Sequence, residues 1–173
     1  HVSSVMSSLR EVLPGRDYCI PATQEDRLNP LEVTEKAFME SVMKRPFSIT
    51  KALYSSFTGL SPLLASEICF RSSIDGDMPV DSLDANGKKH LFNNFTWIMD
   101  DIKNHNYRPN IVFKGKEPID FSCILLTQFA DYETVEYPSI SNVLEEYYAS
   151  RNTYTRIRQK SVDLRKIVST ALD

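Results

Sequence analysis

The sequence predicts an α+β fold: a helical subdomain, then a small antiparallel sheet, then a long C-terminal helix. Three observations carry this reading. Residues 31–103 repeat apolar side chains every three or four positions, residues 107–138 change to short β-branched and aromatic runs, and residues 139–173 contain neither proline nor glycine. Blocks of one structural class following blocks of another are the pattern of α+β proteins. With 173 residues, 42% of them hydrophobic, the chain is long enough to bury a core of ordinary size.

The elements follow in order. Residues 16–21, RDYCIP, read as a short strand after the Pro14-Gly15 turn, and residues 22–30 are polar and rich in turn formers, so residues 1–30 resemble the end of a β-rich lobe. Residues 31–106 form the helical subdomain. Thr34 caps a first helix whose inner face carries Ala37, Phe38, Val42 and Met43, and Arg45-Pro46 ends it. Ser48 is placed to cap a second helix with Ile49, Ala52, Leu53 and Phe57 on one stripe. Thr58-Gly59-Leu60 breaks that helix, and Ser61 followed by Pro62 starts a third, over residues 62–71. The loop holding Asp75, Asp77, Asp81 and Asp84 reads as solvated, and residues 86–103 form a longer helix with Leu91, Phe92, Phe95, Ile98, Met99 and Ile102 inward. In residues 107–138, strands are expected at 110–113, 121–126 and 134–137.

Residues 139–173 place Ile140, Val143, Tyr147, Ser150, Tyr154, Ile157, Ser161, Leu164, Val168 and Ala171 at alternating spacings of three and four, the seam of a coiled coil. At about 1.5 Å per residue the helix would be about 50 Å long, more than the body beside it can cover. One long packed surface helix is the competing reading.

Composition excludes several function classes. Twenty Lys and Arg against 23 Asp and Glu give a net charge of −3, so a nucleic-acid contact would need a local patch. Cys19, Cys69 and Cys123 are far apart and set in apolar runs, which fits reduced thiols and a cytoplasmic compartment. No apolar run approaches the roughly 20 residues of a membrane span. Residues 1–14 lack the features of a secretory signal, and a start at His1 reads as a piece of something longer. The sequence has no glycine-rich phosphate loop, nucleophile elbow, zinc-protease motif or paired-cysteine motif, and His1, His90 and His105 are scattered. The expectation is a protein that is not an enzyme and has neither cofactor nor metal.

Two features point to nucleic acid. Residues 57–69, FTGLSPLLASEIC, match a helix-hairpin-helix: Gly59 suits a tight turn, Leu60 plugs the gap between helices and Ala65 lets them approach. The start of the third helix would offer free amides near Thr58, Gly59, Leu60 and Ser61 to a phosphate, without reading base sequence. An ordinary αα-hairpin is the alternative. On the long helix, Arg151, Arg156, Arg158, Lys160, Arg165 and Lys166 face one acid, Asp163, with Tyr147, Tyr148 and Tyr154 nearby. That patch suits an RNA backbone by charge and stacking, the alternative being a solvated face.

Taken in order, LPGRDYCIPATQEDRLNPLEV (residues 13–33), FTGLSPLLASEICFR (57–71), YRPNIVF (107–113), YPSISNVLEEYYASR (137–151) and RIRQKSVDL (156–164) resemble the NFACT family, the group of bacterial fibronectin-binding protein A, RqcH and eukaryotic NEMF. The resemblance covers nearly the whole chain. It implies a noncatalytic role in ribosome quality control: binding tRNA and an obstructed large ribosomal subunit, and supporting alanine tailing of the stalled chain. It also implies that much of the tRNA specificity lies in the N-terminal lobe and in a module beyond the coiled coil. Likeness to DNA glycosylase architecture raises a DNA-binding reading, but the catalytic N-terminal end of those enzymes is not in these residues. The family's older name raises fibronectin as the alternative partner, with display at the cell surface as a secondary location.

Overall fold

A computed structural model of the chain describes residues 27–172. The expected strand at residues 16–21 and Cys19 lie outside the described residues. The elements are α1 (Glu35–Ser41), α2 (Ile49–Ser56), α3 (Pro62–Arg71), α4 (Ala85–Lys103), β1 (Asn110–Lys114), β2 (Glu117–Ser122), β3 (Glu133–Glu136) and α5 (Ile140–Leu172). The α+β architecture and the long C-terminal helix are as the sequence predicts.

The helical body assembles around three fully buried phenylalanines from different elements. Phe57 stacks on Phe95 of α4 with ring centroids 4.8 Å apart, and Phe38 of α1 lies 5.3 Å from Phe95. Leu53, Ile68, Leu91 and Ile98 close the same core. Helix ends follow the expected chemistry. Thr34 accepts from the Ala37 amide, Ser61 from Leu64 and Asp84 from Gly87, each one filling part of the unpaired first turn.

Ser48 is the exception: it stands at the cap position of α2 without a side-chain bond. Its work is done by the acidic loop, where the Met78 carbonyl accepts from Ile49 (2.9 Å) and the Gly76 carbonyl from Thr50 (3.0 Å). The loop therefore corrects the expectation of a merely solvated segment: Asp75, Asp77 and Asp81 are exposed, but its backbone caps α2.

The sheet is antiparallel, in the order β2-β1-β3. The second strand departs from the expected residues 121–126. Gly115, at φ +64°, turns the chain within two residues, so β1 pairs at once with residues 117–122. Pro118 is tolerated because β2 is an edge strand, with a register shift opposite Val112 and Phe113. The apolar run after it serves another purpose: Ile124 is buried in the helical core as a loop residue.

One side chain binds the two halves. Glu67 of α3 is fully buried, and its Oε1 accepts from Arg71 Nε (2.7 Å), the Thr127 amide (2.8 Å) and Thr127 Oγ1 (2.6 Å), while Oε2 accepts from the Gln128 amide (3.0 Å). Arg71 also donates to the Leu125 carbonyl, and Gln128 Nε2 to Leu63. A second small core of Ile111, Val143 and Tyr147 then seats the start of α5 on the sheet.

Two predictions follow from this packing. Glu67→Ala strands Arg71 and three other donors, so urea denaturation is expected to show a loss of about 3 kcal/mol; a loss under about 1 kcal/mol would mean that the carboxylate is not what docks the two halves. Burial pushes the Cys69 thiol from its ordinary 9.0 up to about 11. The unfolded thiol ionises first, so stability attributable to Cys69 is complete below pH 9 and declines as pH rises toward 11. A Cys69→Ala chain should lack that component of the decline, which paired denaturation curves across the window would measure.

Candidate nucleic-acid interface

The turn between α2 and α3 is built as the sequence requires. Gly59 sits at φ +76°, and nothing lies within 4 Å of where its Cβ would be, so the demand for glycine comes from the backbone conformation alone. Leu60 and Ala65 are buried between the helices. Thr58, Gly59 and Ser61 are exposed. Among the described residues, the amides of Gly59, Leu60, Ser61 and Leu63 have no backbone acceptor, Pro62 has no N–H, and the Leu64 amide is taken by Ser61. The result is a cluster of donors at a helix start, a geometry that suits an anion.

Sequence reasoning missed what holds this turn. Leu28 forms a parallel bridge with Phe57, its amide donating to the Ser56 carbonyl (2.8 Å) and its carbonyl accepting from the Thr58 amide (3.0 Å). The exposed Arg27 precedes this bridge, and Asn29 follows it on the side of the turn. The signal was the LNPL stretch at 28–31, where Asn29 Oδ1 accepts from the Leu31 amide to fix the bend that follows.

The cations of α5 form a separate site. The helix packs on β1 and β2, while the hairpin lies in the helical body, so Thr58, Gly59, Leu60 and Ser61 are not assembled with Arg151, Arg156, Arg158 and Lys160. Nor do those four cations share one face. Seven-residue spacing puts Arg151, Arg158 and Arg165 on one flank of the seam, whereas Arg156 points away from the seam and Lys160 lies on its other flank. Arg151 donates to Tyr147 Oη at 3.3 Å and stands over that ring. Burial holds the Asp120 carboxyl above its ordinary range, and the Phe121 amide and the charge of Arg151 offset only part of that. Tyr147 is buried and Tyr148 exposed, so only Tyr148 and the half-buried Tyr154 remain available for stacking.

Among the described residues no group of three or more His, Cys, Asp and Glu side chains could hold a metal ion, and no helix is long and apolar enough to cross a membrane.

The model of the family described as "NFACT N-terminal and middle domains" matches residues 1–173. The chain belongs to the NFACT family. Among the relatives of this NFACT chain, the Rqc2 homologue RqcH of Bacillus subtilis is 30% identical over 97% of the chain and 27% of its own length. The archaeal Rqc2 homologue aRqcH of Methanocaldococcus jannaschii is 29% identical over 92% of the chain and 24% of its own length. The NFACT chain thus spans about a quarter of the curated relatives it matches. A crystal structure described as the fibrinogen binding protein from Staphylococcus aureus aligns over 79% of this chain and 46% of that one, with a TM-score of 0.61 and 28% identity.

The turn makes its own prediction. Gly59→Val meets no side chain and strains only the backbone, so a loss of roughly 1–2 kcal/mol is expected. Gly59→Asn should lose clearly less, since asparagine tolerates this region. Equal losses for the two variants in thermal denaturation would show that the left-handed backbone is not the constraint.

Proposed function

We propose that this chain is the RNA-facing middle part of a ribosome-quality-control factor, acting in the cytoplasm by binding and not by catalysis. Its partners in this reading are tRNA and the obstructed large ribosomal subunit, and its role is to support alanine tailing of stalled chains. The observation that carries the proposal is the hairpin, where, among the described residues, the amides of Gly59, Leu60, Ser61 and Leu63 have no backbone acceptor at the start of α3, on a turn paired with Leu28. Family membership and the RqcH relatives support it. A phosphate seated there is contacted through main-chain donors, so the hairpin would grip RNA without choosing its sequence. Arg156, facing away from the seam, gives a second and independent phosphate contact.

A second reading has one observation in its favour: the Staphylococcus aureus neighbour is described as fibrinogen binding, and the family's older name refers to fibronectin. The same experiment separates the two. Affinity of the chain for tRNA is measured across a salt series, with a DNA duplex, fibronectin and fibrinogen as parallel ligands. Salt-sensitive tRNA binding is expected, weakened by Gly59→Val in a chain that remains folded. Arg156→Glu should lower the salt slope by about 1, because one fewer counterion is released. Binding to fibronectin or fibrinogen with no affinity for tRNA would sink the RNA reading in favour of the adhesin.

A further inference from the structure

The acidic loop after α3 does more than cap α2. Together with α2, α3 and the turn at Gln128 it encloses a cavity of about 240 Å³, whose walls include Thr50, Ser66, Phe70, Asp75, Asp77 and Gln128. Phe70, one residue before the end of α3, is 51% exposed. An exposed ring beside two carboxylates is a setting in which cations bind, by charge and by the quadrupole of the ring. The protein makes the same pairing close by. A second cavity of about 370 Å³ shares Asp77 and has Phe47 in its wall, and Lys51 Nζ lies 4.4 Å from the centroid of that ring. Among the described residues no cation stands over Phe70 or pairs with Asp75 or Asp77. The walls are fixed in place. A Cβ at Gly76 would collide with Thr50 Oγ1, the Thr50 amide donates to the Gly76 carbonyl (3.0 Å), and Asp75 Oδ1 accepts from the Asp77 amide (3.0 Å). Gln128 is held by its amide on Glu67 and its Nε2 on Leu63, which leaves its side-chain oxygen to accept. Acceptors that need little reordering keep the entropic cost of binding low.

We propose that this groove docks an arginine side chain carried on an extended basic segment of a partner protein. A guanidinium is planar, so it covers the Phe70 ring while its donors reach carboxylates, which an ammonium does less well. Asp77 leads from this cavity into the next, where Asp81 adds a third carboxylate, so a segment with a second base finds negative charge along its path. The same carboxylates repel a nucleic-acid strand. A metal ion is excluded as the cation, because no group of three or more His, Cys, Asp and Glu among the described residues could hold one. The groove and the hairpin lie at opposite ends of the ten-residue α3, about 15 Å apart, and the inference does not depend on RNA binding at the hairpin.

The test uses two labelled peptides, one with two arginines in a glycine background and one in which citrulline, neutral and of the same shape, replaces both. Binding of each to the full chain is followed by fluorescence anisotropy in low salt, where the carboxylates are least screened. The arginine peptide should bind at least about tenfold more tightly than the citrulline peptide. Phe70→Ala should weaken it roughly fivefold, and Asp75→Asn combined with Asp77→Asn at least about tenfold. These changes leave the core untouched, since an amide at position 75 still accepts from the residue 77 backbone, and circular dichroism verifies the fold. Equal affinities for the two peptides, binding of neither, or an arginine peptide indifferent to both variants would each overturn the proposal. Affinity for tRNA should be unchanged by Phe70→Ala; its loss there would assign the ring to RNA and sink the docking site.

Discussion

A buried carboxylate governs the arrangement of this protein. An ionised side chain removed from water is tolerated only where donors replace its hydration, and Glu67 obtains them from its own helix and from the chain about sixty residues later. That requirement makes the turn at Thr127 and Gln128 a fixed part of α3. β1 and β2 precede this turn and β3 follows it, so the carboxylate also sets where the sheet lies against the helices, and with it the base on which α5 stands. Arg71 completes the joint by reaching the Leu125 carbonyl.

Most of the helical body was legible because its chemistry is local. The caps at Thr34 and Ser61, the glycine turn and the stripes of α1 to α4 depend on neighbours within one turn of helix, and the structure realises them. What escaped reading was non-local. The sequence shows Glu67 as one charge on a helix and cannot show Thr127 beside it. The run CILL at 123–126 has a strand's composition, but Gly115 had already committed the partner of β1, and Ile124 was free to serve the helical core. Ser48 has the right identity for a cap and makes no capping bond, because the loop carbonyls of Gly76 and Met78 occupy the amides first. The candidate site divides along the same line: its turn was readable, its clamp at Leu28 was not.

The arm illustrates how composition misleads about surfaces. Six bases against one acid between Arg151 and Lys166 look like a single basic patch when written in a line. Wound on a helix they separate, and the separation follows from a period that does not bring 151, 156, 158 and 160 to one side. Arg156 faces away from the seam while the 151, 158 and 165 row borders it, so charge on this helix has two different neighbourhoods.

The hairpin and the arm lie on one body in places that do not overlap. The hairpin belongs to the core of Phe38, Phe57 and Phe95, the arm to the core of Ile111, Val143 and Tyr147, and the cores are joined through the Glu67 network and the loop that carries Ile124. A ligand at the hairpin therefore shares no side chain with one on the arm. Any coupling between them must pass through a joint in which the buried Glu67 carboxylate is fully paired, although the Asn110 side chain that holds the Ile124 carbonyl keeps a buried Oδ1 without a partner among the described residues. A body of this kind suits holding two partners at a set distance better than switching between two shapes.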